Sequence, residues 1–177
     1  MKLLETKLPG VVILEPEFFR DSRGGFMEFY HSSKYQQLGI NYNFVQDNFS
    51  LSKKNVLRGL HFQKNSPQGK LVTCLTGCVY DVVADINVNS NTFGQYIAIE
   101  LSEKNKKQVF IPPGYAHGFF VMSEIAAFFY KCTSLYDHND ECGVLWNDKT
   151  LNIDWPSESP ILSVKDQKLP KLSQFYQ

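Results

Sequence analysis

Tyr96-Ile97-Ala98-Ile99-Glu100-Leu101 places an aliphatic residue at every second position, between an aromatic, a small and a charged residue. Successive side chains of a strand point to opposite faces, so this period of two predicts a strand with one buried face. Turn-favouring residues flank the segment, with Asn89-Ser90-Asn91 before it and Glu103-Lys104-Asn105 after it. This unit, a short strand between two turns, recurs along the chain and indicates a fold built from β-strands.

Seven further segments of this kind occur along the chain. With the first segment, whose predicted bounds are Gln95–Leu101, the predicted strands are Val11–Leu14, Gly25–Tyr30, Asn43–Ser50, Leu71–Asn87, Gln108–Ile111, Gly118–Val121 and Ala126–Ser134. Further turn signals occur at Thr76-Gly77 and Pro112-Pro113-Gly114. Many short strands at close spacing indicate a sandwich or barrel. The sequence shows neither a βαβ pattern nor a glycine-rich phosphate loop, which argues against a Rossmann or P-loop enzyme.

Little helix is expected. One short helix is predicted over Ser33–Leu38, with Ser32 or Ser33 as its cap and Gly39 as its stop. Residues 155–177 contain three prolines, so we expect an irregular C-terminal segment with one helical turn. A chain of 177 residues suffices for one core, and we treat residues 1–177 as a single domain.

Charge and composition exclude several partner classes. Eighteen basic residues balance eighteen acidic ones, whereas a nucleic-acid-binding protein usually carries a basic excess. The most apolar window, residues 118–130, is too short to span a bilayer, and charges and a proline interrupt residues 1–14, unlike a signal peptide. We therefore expect neither a nucleic-acid nor a membrane partner. The cysteines, which form no C-x-x-C pair, favour reduced thiols in a cytoplasmic protein over a zinc site: Cys74, Cys78, Cys132 and Cys142.

The candidate chemistry is concentrated in Leu57-Arg58-Gly59-Leu60-His61-Phe62-Gln63 and in Lys70, seven positions further on. An imidazole is suited to proton transfer near neutral pH. Cationic groups beside it can stabilise negative charge that develops on an oxygen. Together these residues indicate the removal of a proton next to a carbonyl group.

Pro112-Pro113-Gly114-Tyr115-Ala116-His117 contains P-x-G-x-x-H, which looks like the second motif of the cupins. In the first cupin motif, His61 fits the first histidine, whereas Gln63 replaces the second and Lys70 stands at the glutamate position. A metal cage needs several deprotonated donors, so these replacements dismantle it. The resemblance implies an all-β, cupin-type antiparallel jelly-roll barrel with a few short helices, and we expect no metal and no cofactor.

Ten segments in order along the chain make the resemblance more specific, and with them the sequence resembles the dTDP-4-dehydrorhamnose 3,5-epimerase family over nearly its whole length. The segments are Asp21-x-Arg23-Gly24-x-Phe26-x-Glu28, Phe44-Val45-Gln46-Asp47-Asn48, Val56–Gln63, Gln68–Val72, Tyr80-Asp81-Val82, Ile111–Phe119, Tyr130-Lys131-x-Thr133, Leu145–Asp148, Ile153–Pro156 and Ile161-Leu162-Ser163-x-Lys165-Asp166.

The resemblance implies a 4-keto-6-deoxyhexose carried on dTDP as the substrate, and it implies four catalytic residues. His61 would remove the proton, and Asp166 would orient its ring. Lys70 would hold the enolate charge, and Tyr130 would return a proton to the opposite face. Three of the four have an alternative: Asp166 as a surface carboxylate in a charged tail, Lys70 as a solvated lysine in a turn, and Tyr130 as core packing.

The resemblance also implies a substrate-binding set. It comprises Arg23, Phe26, Glu28, Gln46, Asp47, Asn48, Arg58, Lys70, His117, Tyr136, Glu141 and Lys165. Arg58 and Lys165 are the preferred diphosphate contacts, because cations, and the arginine fork in particular, match phosphate oxygens. Glu28 and Gln46 carry groups that could bind a thymine edge, and Tyr136 would help to orient the sugar. A surface ion pair is the alternative for Arg23 and Glu28.

We therefore expect a homodimeric, cytoplasmic epimerase whose N-terminal strands cross to the partner subunit. It would invert C3 and C5 of dTDP-4-dehydro-6-deoxy-D-glucose, and the product, dTDP-4-dehydro-L-rhamnose, would supply L-rhamnose for surface polysaccharide. The nearest alternative is an epimerase that acts at C3 or C5 alone; a sugar 3,4-ketoisomerase is more remote. From another class of protein, the alternative is a non-catalytic barrel that binds sugar nucleotides.

Overall fold

The computed structural model describes residues 1–175, which form mainly antiparallel strands. The elements are β1 (Lys2–Glu5), β2 (Val12–Glu15), β3 (Phe19–Asp21), β4 (Gly24–Phe26), α1 (Ser32–Gln37), β5 (Gln46–Lys53), β6 (Leu57–Gln63), β7 (Lys70–Thr76), β8 (Cys78–Asp85), β9 (Tyr96–Ser102), β10 (Gln108–Ile111), β11 (Tyr115–Val121), β12 (Ile125–Cys132) and β13 (Glu141–Gly143), with 3-10 helices at Asp166–Lys168 and Leu172–Phe175.

Two large sheets form the body of the fold. One has the order β1-β2-β10-β7-β12-β5 and the other the order β13-β6-β11-β8-β9, while β3 and β4 form a separate hairpin. Apolar side chains from both sheets meet in a shared core, where the rings of Phe119 and Phe128 stack with centroids 4.2 Å apart. This arrangement confirms the predicted all-β antiparallel fold.

The outer faces of the two sheets are covered differently. The C-terminal segment packs on the five-stranded sheet, where Trp155 and Leu172 join a buried cluster with Leu57 and Phe120. A backbone hydrogen bond joins this segment to β6, because the Leu57 amide donates to the Ile161 carbonyl at 3.0 Å. The C-terminal segment is therefore anchored beside β6. On the six-stranded sheet, α1 covers one end with the fully buried Tyr35.

Several predicted boundaries were wrong. The run Leu71–Asn87 divides at Gly77, where φ is +77° and an added Cβ would lie 2.1 Å from the Ile125 carbonyl oxygen. The strand predicted over Gly25–Tyr30 ends at Phe26. Four strands lie outside the predicted ones: Lys2–Glu5, Phe19–Asp21, Leu57–Gln63 and Glu141–Gly143.

The short helix occurs close to its predicted position. It spans Ser32–Gln37, and its cap is His31, which makes no side-chain capping hydrogen bond, so neither serine serves as the cap. Gly39 follows the helix with φ +87°, a conformation that ends it at little steric cost.

Strands β1 and β2 pair within the chain, beside β10. The crossing of N-terminal strands to a partner subunit stays a prediction. Within residues 1–175, the helices are all too short or too polar to traverse a bilayer.

Candidate active site

An irregularity between β6 and β11 places Arg58 and His61 on the same side of the sheet. His61 pairs with His117 and Arg58 pairs with Phe119, so three steps along β6 oppose two steps along β11. The extra residue of such a bulge turns two side chains of odd spacing toward one face. Gly59 lies inside the bulge with φ +114°, and a Cβ there would lie 2.7 Å from the Cα of Gly118. A glycine is therefore needed at this position.

A cavity of about 410 Å³ opens on that face, between the two sheets. It brings together all four predicted catalytic residues, of which Lys70 is also a predicted binding residue, and three further predicted binding residues. These are His61, Lys70, Tyr130 and Asp166, with Arg58, His117 and Lys165. A smaller lobe of about 70 Å³ shares three of them and adds two further predicted residues: His61, Lys70 and Tyr130, with Tyr136 and Glu141.

His61 and Asp166 form a pair across 105 residues of sequence. His61 Nε2 lies 2.7 Å from Asp166 Oδ1, and the Asp166 side chain is only 5% exposed. Burial opposes ionisation of Asp166, but hydrogen bonds to His61 and Ser163, with the charge of His61, outweigh it and lower the pKa of the carboxyl. An ionised Asp166 accepts the Nε2–H, which leaves Nδ1 of His61 with a lone pair for a proton.

Lys70 and Tyr130 come from the opposite sheet. Lys70 begins β7 and pairs with Cys132 on β12, two residues beyond Tyr130, so both side chains face the cavity. Burial lowers the pKa of Lys70, although Cys132 and the acidic groups Asp81 and Glu141 favour its charged form. Burial raises the pKa of Tyr130 to about 12, so its phenol carries a proton at neutral pH.

His117 of β11 and Asp81 of β8 form a second pair, and both side chains are almost completely buried. His117 Nε2 lies 2.8 Å from Asp81 Oδ2. Burial lowers the pKa of His117, and the charges of Lys70 and His61 act in the same direction against the opposing effect of Asp81. Asp81 Oδ1 is buried without a hydrogen-bond partner in the described residues. His117 is therefore positioned rigidly, and its position favours the neutral ring.

Strand β5 directs alternate side chains to opposite sides. Gln46 and Asn48 face inward and are joined by a 3.0 Å hydrogen bond from Gln46 Nε2 to Asn48 Oδ1. Gln46 Oε1 also accepts the backbone N–H of Tyr136 at 2.8 Å. Asp47 faces outward and forms an ion pair with Lys131 at 2.7 Å. Asp47 therefore faces away from the cavity, so its predicted role in substrate binding beside Gln46 and Asn48 is not supported within one chain.

Three of the predicted binding residues meet near the smaller lobe. Tyr136 donates its hydroxyl proton to Glu141 Oε2 at 2.5 Å, and Lys165 forms an ion pair with the same oxygen. Burial opposes ionisation of Glu141, but the hydrogen bonds from Lys165 and Tyr136 lower its pKa. This network connects the C-terminal segment to β13 beside the cavity.

The remaining three predicted binding residues lie elsewhere. Arg23 pairs with Asp21 at 2.6 Å on the β3–β4 hairpin, and Glu28 pairs with Lys34 at 2.8 Å. Phe26 is 68% exposed. Phe26 and Glu28 line a separate cavity, so a single chain does not bring these residues to His61.

The chain is also similar to proteins of known activity. A family model described as dTDP-4-dehydrorhamnose 3,5-epimerase matches residues 5–174. The chain belongs to this family.

Individual relatives of the epimerase family are similar over nearly the whole chain. The dTDP-4-dehydrorhamnose 3,5-epimerase of Salmonella typhimurium is 50% identical, covering 98% of this chain and 97% of the relative. A crystal structure of dTDP-6-deoxy-D-glucose-3,5-epimerase RmlC from Legionella pneumophila Philadelphia 1 in complex with dTDP-4-keto-L-rhamnose has a TM-score of 0.95 and 46% identity, covering 97% of this chain and 93% of that one. A dTDP-4-dehydrorhamnose 3-epimerase from Streptomyces niveus is 37% identical, covering 94% of this chain and 82% of the relative.

The positions that bind metal in cupins are occupied differently in this epimerase-family chain. Gln63 uses its amide to bind the carbonyls of Ser66 and Leu135 at 2.8 and 3.2 Å, and its Oε1 accepts the Asp137 N–H at 2.9 Å. Across residues 1–175, no cluster of three or more His, Cys, Asp and Glu side chains could hold a metal ion. The residues present do not fit a cupin metal cage.

Asp81, the buried partner of His117, is a polar residue beside the epimerase-family site that was not among the predicted site residues. The available signal was a carboxylate at even spacing from Val79 and Val83, on the apolar face of a strand. A carboxylate at such a position needs a buried partner, and the structure provides His117.

Proposed function

We propose that the protein inverts C3 and C5 of dTDP-4-dehydro-6-deoxy-D-glucose and releases dTDP-4-dehydro-L-rhamnose. One observation carries the proposal: a base candidate and an acid candidate lie in one cavity but belong to facing sheets. His61 is on β6 of the five-stranded sheet and Tyr130 is on β12 of the six-stranded sheet. A sugar ring between them meets a proton acceptor on one face and a proton donor on the other, which inversion requires.

Proton removal is assigned to His61. The C4 carbonyl acidifies the C3 and C5 hydrogens, and Nδ1 of His61 takes one of them while the electrons of the broken C–H bond move into the enolate. Asp166, 2.7 Å from Nε2, holds the ring in the required tautomer and stabilises the imidazolium that forms.

Lys70 is assigned to the C4 oxygen. Its ammonium has no hydrogen-bond or ion-pair partner within the part of the chain that the structure describes, so all of its donors remain available. In a cavity with little water, a positive charge directed at the enolate oxygen contributes most where the negative charge develops.

Reprotonation is assigned to Tyr130. With its pKa raised to about 12, the phenol holds its proton until the strongly basic enolate carbon approaches. The proton then moves from the hydroxyl to the carbon on the face away from His61. Exchange with water afterwards returns a proton to Tyr130 and removes one from His61, and a second cycle at the other carbon completes the double inversion.

Nucleotide binding is assigned to Arg58 and Lys165 for the diphosphate, and to Gln46 and Asn48 for the base and its sugar. Arg58 and Lys165 line the same cavity as the pair His61 and Asp166. They place positive charge where the two phosphates would extend from the sugar.

A homodimer would complete the site with the partner's β3–β4 hairpin. Phe19 and Phe26 are 59% and 68% exposed on this hairpin, an unusual state for two phenylalanines. Their rings, with Arg23 and Glu28, have the chemistry to stack on a base and to bind its edge. A hairpin that enters the neighbour's cavity explains why a single chain leaves these residues outside its own.

A cytoplasmic location is part of the proposal. It is supported by the free thiols of Cys74, Cys78, Cys132 and Cys142.

Counting deuterium tests the function directly. The protein is incubated with dTDP-4-dehydro-6-deoxy-D-glucose in deuterated water, and the product is examined by NMR and mass spectrometry. Two deuterium atoms, at C3 and C5 of an L-configured product, are expected. One atom would indicate an epimerase acting at a single carbon, and no incorporation would indicate a binding barrel.

A further inference from the structure

The guanidinium of Arg58 is held by a neutral hydroxyl. Its Nε donates to Ser52 Oγ at 3.0 Å. Among residues 1–175, no acidic side chain forms an ion pair with Arg58, and no other side-chain hydrogen bond engages it. Lys165 differs, because its ammonium forms an ion pair with Glu141. Within the described residues, the charge of Arg58 is therefore uncompensated, and its two terminal nitrogens have no side-chain partner.

Ser52 is placed to act as a fixed support. It lies on β5, pairs in the ladder with Ala126 of β12, and is only 5% exposed. A buried strand residue with a single side-chain rotation has little freedom, whereas an arginine has four rotatable bonds. A bond from Nε to this support limits the guanidinium to one plane, and the remaining fork then faces the cavity.

We propose that Ser52 is a positioning residue that directs the Arg58 fork at the diphosphate of the substrate; this inference rests on the proposed function. A planar fork gives two parallel hydrogen bonds only when its orientation matches the phosphate oxygens. Fixing Nε in advance removes the entropy cost of orienting the arginine when the nucleotide binds. Ser52 itself does not contact the ligand.

The test compares Ser52→Ala with Ser102→Ala. Ser102 is 4% exposed on β9, and its hydroxyl accepts the Asn105 amide at 3.2 Å, so both variants lose one hydrogen-bonding hydroxyl from a buried strand position. Calorimetry with dTDP should show binding about tenfold weaker for Ser52→Ala and unchanged for Ser102→Ala. KM for the nucleotide sugar should rise by a similar factor while kcat stays within about twofold of the wild-type value.

A double variant separates positioning from general damage. In an Arg58→Ala background, Ser52→Ala should weaken dTDP binding no further, because the group that it positions is absent. Equal dTDP affinity of Ser52→Ala and the wild type, or an additional loss in the Arg58→Ala background, would overturn the inference. A wild-type protein that does not bind dTDP would overturn the proposed function, and this inference with it.

Discussion

At the scale of single residues, His61 is the group on which the proposed chemistry depends most. His61→Asn removes the proton acceptor and keeps a polar side chain of similar size, so turnover should fall by at least about 10²-fold. Affinity for dTDP should remain, because the cations near the diphosphate are unchanged. Single-turnover assays and calorimetry measure the two effects separately. A variant that still exchanged the C5 hydrogen at close to the wild-type rate would contradict the role of His61.

Tyr130→Phe tests the second proton donor. The phenyl ring keeps its packing on Phe128, 6.1 Å away between centroids, so a residue with only a packing role would tolerate the change. If the hydroxyl is the acid, His61 still removes protons but the enolate is poorly reprotonated on the opposite face. We expect deuterium to enter the sugar, at C5 in particular, with much less epimerised product. A normal yield of product would show that Tyr130 has only a packing role.

Asp166 gives a prediction on stability against pH. Its pKa lies below the usual value of 3.8, so the ionised form stabilises the folded state. This contribution is complete above the pKa that the Asp166 carboxyl has in the unfolded chain. It is lost as the pH falls through the lower pKa of this carboxyl in the folded protein. Asp166→Asn should therefore be less stable than the wild type at pH 7, and the difference should shrink below about pH 4. Urea denaturation of both proteins at several pH values measures this difference in stability. A difference that does not change with pH would contradict the prediction.

At the scale of elements, the bulge in β6 determines where Arg58 and His61 point. Gly59→Ala introduces both a strained φ of +114° and a Cβ 2.7 Å from the backbone of β11. Gly39→Ala is the control, because it shares a positive φ of +87° but has no atom within 4 Å of the added Cβ. The free energy of unfolding should fall by about 2 kcal/mol more for Gly59→Ala than for the control. Equal losses would show that the close approach to β11 is unimportant.

The same bulge explains which elements could be predicted from sequence. The strand at Tyr96–Ser102 keeps a regular period of two and was predicted almost to its ends. Leu57–Gln63 breaks this period because the bulge adds a residue at Gly59, so it was not predicted as a strand. The position of Asp166 depends on the packing of the C-terminal segment on β6, which no local pattern reveals. Only the family resemblance linked it to His61.

The outer faces of the two large sheets differ in how far the rest of the chain covers them. The C-terminal segment buries the outer face of the five-stranded sheet, whereas α1 covers only one end of the six-stranded sheet. On the uncovered part, Phe49 and Leu51 of β5 are 62% and 60% exposed. A partner subunit on this face would remove that apolar surface from water. We propose that the same partner contributes its β3–β4 hairpin to the neighbouring cavity.

Mixing two inactive variants tests this arrangement. One chain carries His61→Asn and the other carries Arg23→Ala and Phe26→Ala. If the hairpin serves the neighbouring cavity, each mixed dimer contains one site with an intact His61 and an intact hairpin, contributed by different chains. Random mixing should then restore about a quarter of the wild-type activity, since half of the dimers are mixed and each has one working site. If the hairpin served its own chain, every site in the mixture would lack one part. The mixture would then be as inactive as either variant alone, even if sedimentation experiments showed that the chains form dimers.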